Sequence, residues 1–591
     1  MAETIETDVL VIGGGGAGFR AAIGAREKEV SVVVLSKGPL GRCGATPMAG
    51  ADFTLDGKSL SSMDGIAGDP NDTKEKVFND IITQGCFLNN QKLVEQYVRV
   101  APQCLRELIE WGIEIKASDE RMIFTSGTGI MDVLLKKAGS SGIKMLEEIA
   151  ALELITKKGK IAGVLGLDLR YGKFIHFKCK AVIIATGGWH KAFWPNTGMR
   201  DLSGEGIAMA QRAGAAIGNM EFITFCCNVF YAPLIWKGSI APYMLSLICG
   251  GRLENIRRED IFEGYDSYII EKGTTTEWNK CFVSYVTTKE VREGKGLQNG
   301  GVHYSRGEVP WENIELVASI LFPKWKYKAI DLSSWGHMLK NNEPAEVGPA
   351  VEYFDGGIVV NENFETEIPG LFAAGECTLG AFGASRVFSA ITEMLVHGAD
   401  AGKNAGNYAA HNNSIQLKKV DFDRFEETSD SALLRKKGIK PALLRRSVQE
   451  MAHKYLGPIR SHSELTSLLS FLEKVRKEKL PFLATDSKSR IYNKEWMDSM
   501  ELPNMVQLLE ASALSALKRT ESRGVHFRED YPETDDQNWL RENIVRLAGE
   551  GMNLTGRQLT ITSMTPPSGK KPWIDHIRQM MKSHSDTGGK H

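Results

Sequence analysis

The 591-residue sequence predicts an α/β fold: a Rossmann-like dinucleotide-binding domain, interrupted by an inserted α+β domain and followed by a C-terminal helical domain. Three observations carry that prediction. Asp8-Val-Leu-Val-Ile12 runs directly into Gly13-Gly-Gly-Gly-Ala-Gly18, a buried strand opening through a glycine-rich turn onto a helix. Thr366-Glu-Ile-Pro-Gly-Leu-Phe-Ala-Ala-Gly-Glu376 forms the second end of the same binding site. Between them, from about 229 to 354, the α/β rhythm gives way to a stretch rich in Trp, Tyr and Gly, which marks the insertion.

Each element follows in order. Gly13, Gly15 and Gly18 keep the G-x-G-x-x-G spacing: a tight turn, close approach of backbone to a pyrophosphate, and close strand–helix packing, with Gly14, Gly16 and Ala17 between them. The pyrophosphate is expected on the amides of the helix N-terminus. Val30-Ser-Val-Val-Val-Leu35 supplies the second strand, but the residue after it is Ser36 where a ribose-binding acid would mark NAD, so FAD is favoured. A loop of small residues runs from Gly38 to Phe53. Residues 73 to 112 read as helices, with Leu93, Val94, Tyr97, Val98, Leu105, Leu108 and Ile109 at helical spacing. Segments 151–156, 161–169 and 173–178 alternate like a β-meander and lead into the buried strand and turn Ala181-Val-Ile-Ile-Ala-Thr-Gly-Gly188. Residues 203–217 read as a helix, and Gly356-Gly-Ile-Val-Val360 returns the chain to the first domain.

The expected boundaries are 1–228 with 355–410 for the dinucleotide domain, 229–354 for the insertion, 415–530 for the helical domain, and 531–591 for an irregular tail. Its polar end, Ser583–His591, is expected to be disordered. A net charge of −1 implies no general attraction to nucleic acid or to a membrane surface. The nine cysteines contain no C-x-x-C pair, so no metal site is expected. Their scatter through apolar segments reads as reduced thiols in a cytoplasm. No run is long enough to span a bilayer, and the acidic N-terminus does not read as a signal peptide.

In this order, the segments resemble the flavoprotein subunits of succinate dehydrogenase and fumarate reductase over nearly the whole chain. Leu35-Ser-Lys37 with Arg42 is similar to the family's post-strand loop. Ala185-Thr-Gly-Gly188, Ser203-Gly-Glu-Gly-Ile-Ala-Met-Ala210, Met220-Glu-Phe222, Gly370–Glu376 and Gly383-Ala-Ser-Arg386 resemble its later flavin-binding stretches. Glu521-Ser-Arg-Gly-Val-His-Phe-Arg-Glu-Asp-Tyr-Pro532 is similar to its helical-domain signature. The resemblance implies FAD, with the insertion acting as a capping domain over the isoalloxazine. It places Ser36, Lys37, Arg42, Cys43, Gly44, Gly50, Ala185, Thr186, Gly187, Glu205, Glu376, Ser389, Ala390 and Ile391 beside the cofactor. It also implies an iron–sulfur or haem electron-transfer partner, with any membrane association peripheral and through such partners.

The chain departs from the family at the reacting centre. The covalent flavin linkage uses a His in Arg-Ser-His-Thr; here the run is Arg42-Cys-Gly-Ala45, and Gly44 cannot bond the flavin, so FAD is expected to be non-covalent. Where the family holds a substrate carboxylate with His-Pro-Thr, this chain has Cys226-Cys-Asn228. Leu247 stands in place of a proton-shuttling Arg, and Glu352 in place of a second substrate His. Only the last substrate-binding Arg survives, as Arg386. A C4 dicarboxylate against Glu352 meets a like charge. The expected function is therefore an FAD-dependent oxidoreductase acting on a substrate other than fumarate or succinate; the alternative is an electron-relay flavoprotein without its own organic substrate.

Arg386 and Glu352 are the candidate catalytic residues, Glu352 either as a general base or as a structural ion pair with Arg386 or Arg252. Cys226 and Cys227 are either redox-active or packing residues, and Trp189, His190 and Trp194 either stack on a ligand or fill a pocket. Tyr231 and Tyr353 are possible proton donors, and the basic run from Arg435 to Arg446 is a docking face or a solvated helix.

Overall fold

Val9-Leu-Val-Ile12, Val32-Val-Val-Leu35 and Ala181-Val-Ile-Ile184 are continuous apolar runs because a parallel strand is covered on both faces. The computed structural model describes residues 3–50, 52–386, 388–549 and 551–586. In it these strands are fully buried, each large aliphatic side chain contributing about 1.5–3 kcal/mol. With Lys144–Leu146 and Leu371–Ala373 they form a five-stranded parallel sheet. Its order is Leu371–Ala373, Ala181–Ile184, Val9–Ile12, Val32–Leu35, Lys144–Leu146. The chain builds outward from Val9–Ile12 first on one side and then on the other. That switch point opens a crevice at the carboxyl ends of the strands, where Gly13, Ser36, Ala185 and Ala374 lie.

Helix Gly16–Arg26 follows the glycine turn, and helix Ala390–His411 lies against it. The approach is close: a Cβ on Gly398 would stand 2.7 Å from Ala17 O, and one on Gly402 2.1 Å from Ala21 O. Glycines there let a single rigid pair of helices back the cradle.

The β-meander is present as Ile149–Lys157, Lys160–Asp168 and Lys173–Lys178, and Glu3–Glu6 adds a fourth, parallel strand. The helices expected over 73–112 are Lys74–Gln84 and Gln91–Glu110. The one expected over 203–217 is shorter, Glu205–Arg212, because Gly214 adopts a φ of +108° and turns the chain into strand Ile217–Gly218. In the insertion, Ile223–Phe230, Ala345–Phe354, Val302–Ser305 and Arg252–Glu254 form an antiparallel sheet with its own apolar core around Phe230, Phe282 and Trp335. Helices Val420–Leu434, Pro441–Tyr455, His462–Lys474 and Lys494–Lys518 make up the C-terminal helical part.

The irregular tail expected from 531 is instead largely regular. Arg541–Ala548 and Gly551–Gln558 pair as a hairpin that extends the sheet of Ile217–Gly218 and Gly357–Ile358, and Trp573–Asp586 is a helix. Of the stretch expected to be disordered, 583–586 are helical and 587–591 lie outside the described residues.

Candidate functional site

The crevice at the switch point is one continuous cleft. Gly13, Gly14, Gly15, Gly16 and Ala17 line it, as do Ser36, Lys37, Cys43, Gly44, Gly50, Ala185, Thr186, Gly187, Glu205, Glu376, Ala390 and Ile391. Glu352 and Arg386 stand in its wall as well. Three expected residues do not. Gly18 lies behind the turn, where a Cβ would meet Gly13 O at 1.9 Å. Arg42 is exposed and outside the lining. Ser389 turns its hydroxyl to Asp52 O at 2.6 Å and caps helix Ala390–His411 through the Thr392 amide.

The residues present fit FAD. The N-cap of helix Gly16–Arg26 is Gly15, which has no side chain to cap the first turn; the Gly16 amide donates to Thr46 Oγ1 at 3.1 Å, and the Ala17 amide beside it has no side-chain cap among the described residues and can receive an anion. A Cβ on Gly15 would touch only Thr46 Oγ1, at 3.6 Å, and otherwise project into the cleft. Buried Thr186 Oγ1 and Glu376 Oε1 line the cleft with no hydrogen-bond partner among the described residues. Glu376 Oε2 accepts from the Gly188 amide at 3.1 Å. At the far end Lys37 Nζ contacts Glu205 (2.9 Å), Glu501 (2.8 Å) and Ser203 Oγ (2.9 Å), tying the cleft to helix Lys494–Lys518. Burial raises the Glu501 carboxyl, but Lys37 and Lys191 outweigh it and hold the value at about 2.

Glu352 is an ion-pair residue in this geometry. Its Oε2 lies 3.0 Å from Lys280 Nζ and 3.4 Å from Arg386 Nη2. Arg252, the other expected partner, pairs with Glu254 instead. Lys280, 2% exposed, also holds Glu277 Oε2 at 2.5 Å, and Tyr243 OH donates to Glu277 Oε1 at 2.7 Å. Sequence reading missed Lys280 and Glu277. The available signal was a lysine set among apolar residues in Trp278-Asn-Lys-Cys-Phe-Val283. Burial raises the Glu277 carboxyl, but Lys280 and Arg386 outweigh it and keep the value at about 2. Asp355 makes no ion pair among the described residues, and burial pushes its carboxyl up to about 8 although Thr224 Oγ1 donates to it at 2.8 Å and Arg386 and Lys280 act on it from a distance.

The remaining alternatives resolve by contact. Cys226 and Cys227 are buried in strand Ile223–Phe230, and burial pushes both thiols up, away from the thiolate form that redox chemistry uses. Trp189 is fully buried, with its ring 4.4 Å from that of Phe354. His190 lines the cleft and its Nε2–H donates to the Glu352 carbonyl at 2.7 Å, so it fixes the backbone that carries Glu352. Trp194 is 42% exposed. Tyr231 OH donates to Pro349 O (2.6 Å) and Tyr353 OH to Glu393 Oε2 (2.5 Å). Leu247 sits half-buried in helix Ala241–Cys249 against the core of the insertion. In the basic run, Arg445 pairs with Asp498, Lys440 with Asp486, and Arg446 with Glu450 on a solvated face.

Comparisons agree with this architecture. A family described as FAD binding domain matches residues 8–121, 115–235 and 321–390, and one described as Fumarate reductase flavoprotein C-term matches 445–572. An uncharacterized FAD-dependent oxidoreductase of Methanocaldococcus jannaschii is 30% identical, covering 92% of this chain and 96% of its own. A chain of the CoM/CoB fumarate reductase of Methanothermobacter marburgensis is 27% identical, covering 92% and 97%. The solved apo Sdh1 complex of Mycobacterium smegmatis holds a chain 27% identical that superposes with a TM-score of 0.83 over 95% of both chains. The chain belongs to the succinate dehydrogenase and fumarate reductase flavoprotein family and is an FAD-dependent oxidoreductase.

Proposed function

We propose that this flavoprotein exchanges electrons with a substrate other than fumarate or succinate, holds its FAD without a covalent bond, and works with an electron-transfer subunit. One observation carries the substrate reading. Lys280 and Arg386, the cations at the Glu352 wall of the cleft, already face Glu352 and Glu277. Two positive and two negative side chains leave no net charge to attract a dicarboxylate, and a dianion placed there would meet Glu352.

When bound, FAD supplies a two-electron acceptor and donor that can also pass electrons singly. The chain's own residues supply the rest. Arg386 remains the residue to orient an acidic or carbonyl end. Tyr243, Glu277, Lys280 and Glu352 form a contiguous polar line that fixes the Glu352 carboxylate beside the cleft. His190 and the Glu376-bound turn keep that line in register with the flavin cradle.

The test is reoxidation of the photoreduced holoprotein under anaerobic conditions. Fumarate is expected to reoxidise it at least about 100-fold more slowly than an enoyl thioester or a sulfur-centred acceptor, the loss of two substrate contacts being worth roughly 3 kcal/mol. Fast reoxidation by fumarate overturns the reading. Reoxidation by a ferredoxin-like protein alone would instead favour electron relay between partners.

The flavin linkage is tested separately. Gly44 lines the cleft at a φ of +76°, with nothing within 4 Å of where its Cβ would be, so space for a linking side chain exists but no nucleophile fills it. Neighbouring Cys43 turns its thiol to Ser36 Oγ at 3.2 Å. Trichloroacetic acid precipitation is expected to leave all of the yellow colour in the supernatant; flavin retained on the precipitated chain refutes non-covalent binding. Among the described residues no helix is long and apolar enough to cross a membrane, which is compatible with contact to a membrane through partner subunits only.

A further inference from the structure

The flavin cleft opens into a second basin of about 470 Å³, and the two share Thr197, Gly198, Met199, Ile240 and Lys328. The basin is strongly one-signed. Lys191, Arg200, Lys237, Lys328, Arg445 and Lys494 line it, and among the described residues no carboxylate does. Lys191 and Arg445 are neutralised by Asp498 and Glu501 from outside. Arg200, Lys237, Lys328 and Lys494 have no ion-pair partner among the described residues.

Two of these cations are held in places that cost them hydration. Lys237 Nζ lies 5.2 Å over the Tyr231 ring, and Lys328 Nζ lies 4.9 Å over the Tyr327 ring at the tip of the hairpin Lys326–Tyr327 and Ile330–Asp331. Burial draws both ammonium groups below the ordinary lysine value. Glu346 is the carboxylate that acts on Lys237 without pairing with it, and gathering like charges with so little compensation is unfavourable unless an anion completes the site. Trp194 and Tyr327 add aromatic surface to the same wall, Trp194 with 42% of its surface open.

We infer that this basin binds the phosphate-bearing, nucleotide-like handle of the substrate, whose reactive end reaches the flavin site past Lys328. The shape favours a small molecule over an acidic protein, because the basin is concave and leads into the cleft, where a protein surface cannot follow. It also separates the two tasks of recognition. Affinity comes from charge at the entrance, so the reacting centre is free to do without the dicarboxylate contacts. The inference deepens the proposed function and rests on it.

The oxidised holoprotein would be titrated calorimetrically with coenzyme A, ADP and pantetheine, the last being the thiol arm without nucleotide phosphates. Coenzyme A and ADP are expected to bind, and pantetheine about 100-fold more weakly. In Arg200→Ala/Lys237→Ala the affinity for both nucleotides is expected to fall about 100-fold, on the order of tenfold per charge-assisted contact. Lys237→Arg, which keeps the charge, should retain most of it. Flavin content and melting temperature report that the variants are folded. Equal binding of coenzyme A and pantetheine, unchanged affinity in the double variant, or an acidic peptide binding more tightly than ADP would each overturn the proposal. Rapid turnover of fumarate would sink the function reading. Failure of every phosphate probe with fumarate still inert would sink only this one.

Discussion

Gly13→Ala is expected to yield protein that purifies with less than about a tenth of the wild-type flavin content. Gly13 has a φ of +124°, and a Cβ there would stand 2.1 Å from Ala185 O and 2.6 Å from Ala185 C. Both are backbone atoms, so no side chain can swing aside. The left-handed conformation and the overlap together cost about 3 kcal/mol, relieved only if the turn moves away from Ala185. Such a movement withdraws the amides that face the pyrophosphate, and 3 kcal/mol corresponds to roughly 100-fold in FAD affinity. Gly15→Ala separates cradle from fold. Its Cβ meets only Thr46 Oγ1, at 3.6 Å, so the apoprotein should melt as wild type while flavin is still excluded by the methyl group. The ratio of flavin to protein absorbance after gel filtration, with thermal melting of the apo forms, decides both. Wild-type occupancy in Gly13→Ala would refute the placement of the cofactor at this turn.

Lys280→Met is expected to lower stability by about 3–5 kcal/mol at pH 7, because it leaves the carboxylates of Glu277 and Glu352 without their shared cation in a buried site. The pH dependence distinguishes this from a packing defect. With Lys280 present the Glu277 carboxyl sits at about 2, below its ordinary value of 4.5. Its ionic contribution is therefore complete above about pH 4.5 and is lost as pH falls toward 2. Without Lys280, Glu277 loses the largest of the interactions that offset its burial and binds a proton more readily in the folded state. The deficit of the variant should then be largest at neutral pH and shrink as the solution is acidified toward pH 4.5. Denaturant unfolding at pH 7 and pH 4.5 measures it, and a deficit equal at both values would show that the methionine only packs badly. Lys280→Arg should recover most of the loss.

Much of the cofactor site was legible because its determinants are local. Gly13–Gly18, Ala185–Gly188 and Gly370–Glu376 are short turns that need particular residues at fixed spacing, so pattern and geometry coincide. The buried strands read equally well, since two covered faces leave no polar positions. The hairpin Arg541–Ala548 with Gly551–Gln558 was not legible for the opposite reason. Only Met552 and Leu554 alternate inward in its second strand, too short a signal to mark a strand, and the partner Ile217–Gly218 that the hairpin extends lies more than 300 residues away. Arg42 and Ser389 sit in stretches that resemble the family's, yet one side chain points to solvent and the other caps a helix.

The sequence by itself determined that a dinucleotide lies across a parallel sheet, that FAD suits it better than NAD, and that Gly44, Cys226 and Glu352 remove familiar features of the reacting centre. Those conclusions depend on which residues are present. Only the tertiary structure decided what the altered centre is. Glu352 could have been a free base or an ion pair, and it is an ion pair because helix Asn279–Glu290 brings Lys280 to it from 72 positions away in the chain. The cationic basin is likewise assembled from five separate segments whose charges are ordinary one by one. Coulombic interactions fall off with distance in space and take no account of distance along the chain, so charge pairing and charge clustering become readable only once the fold has been made.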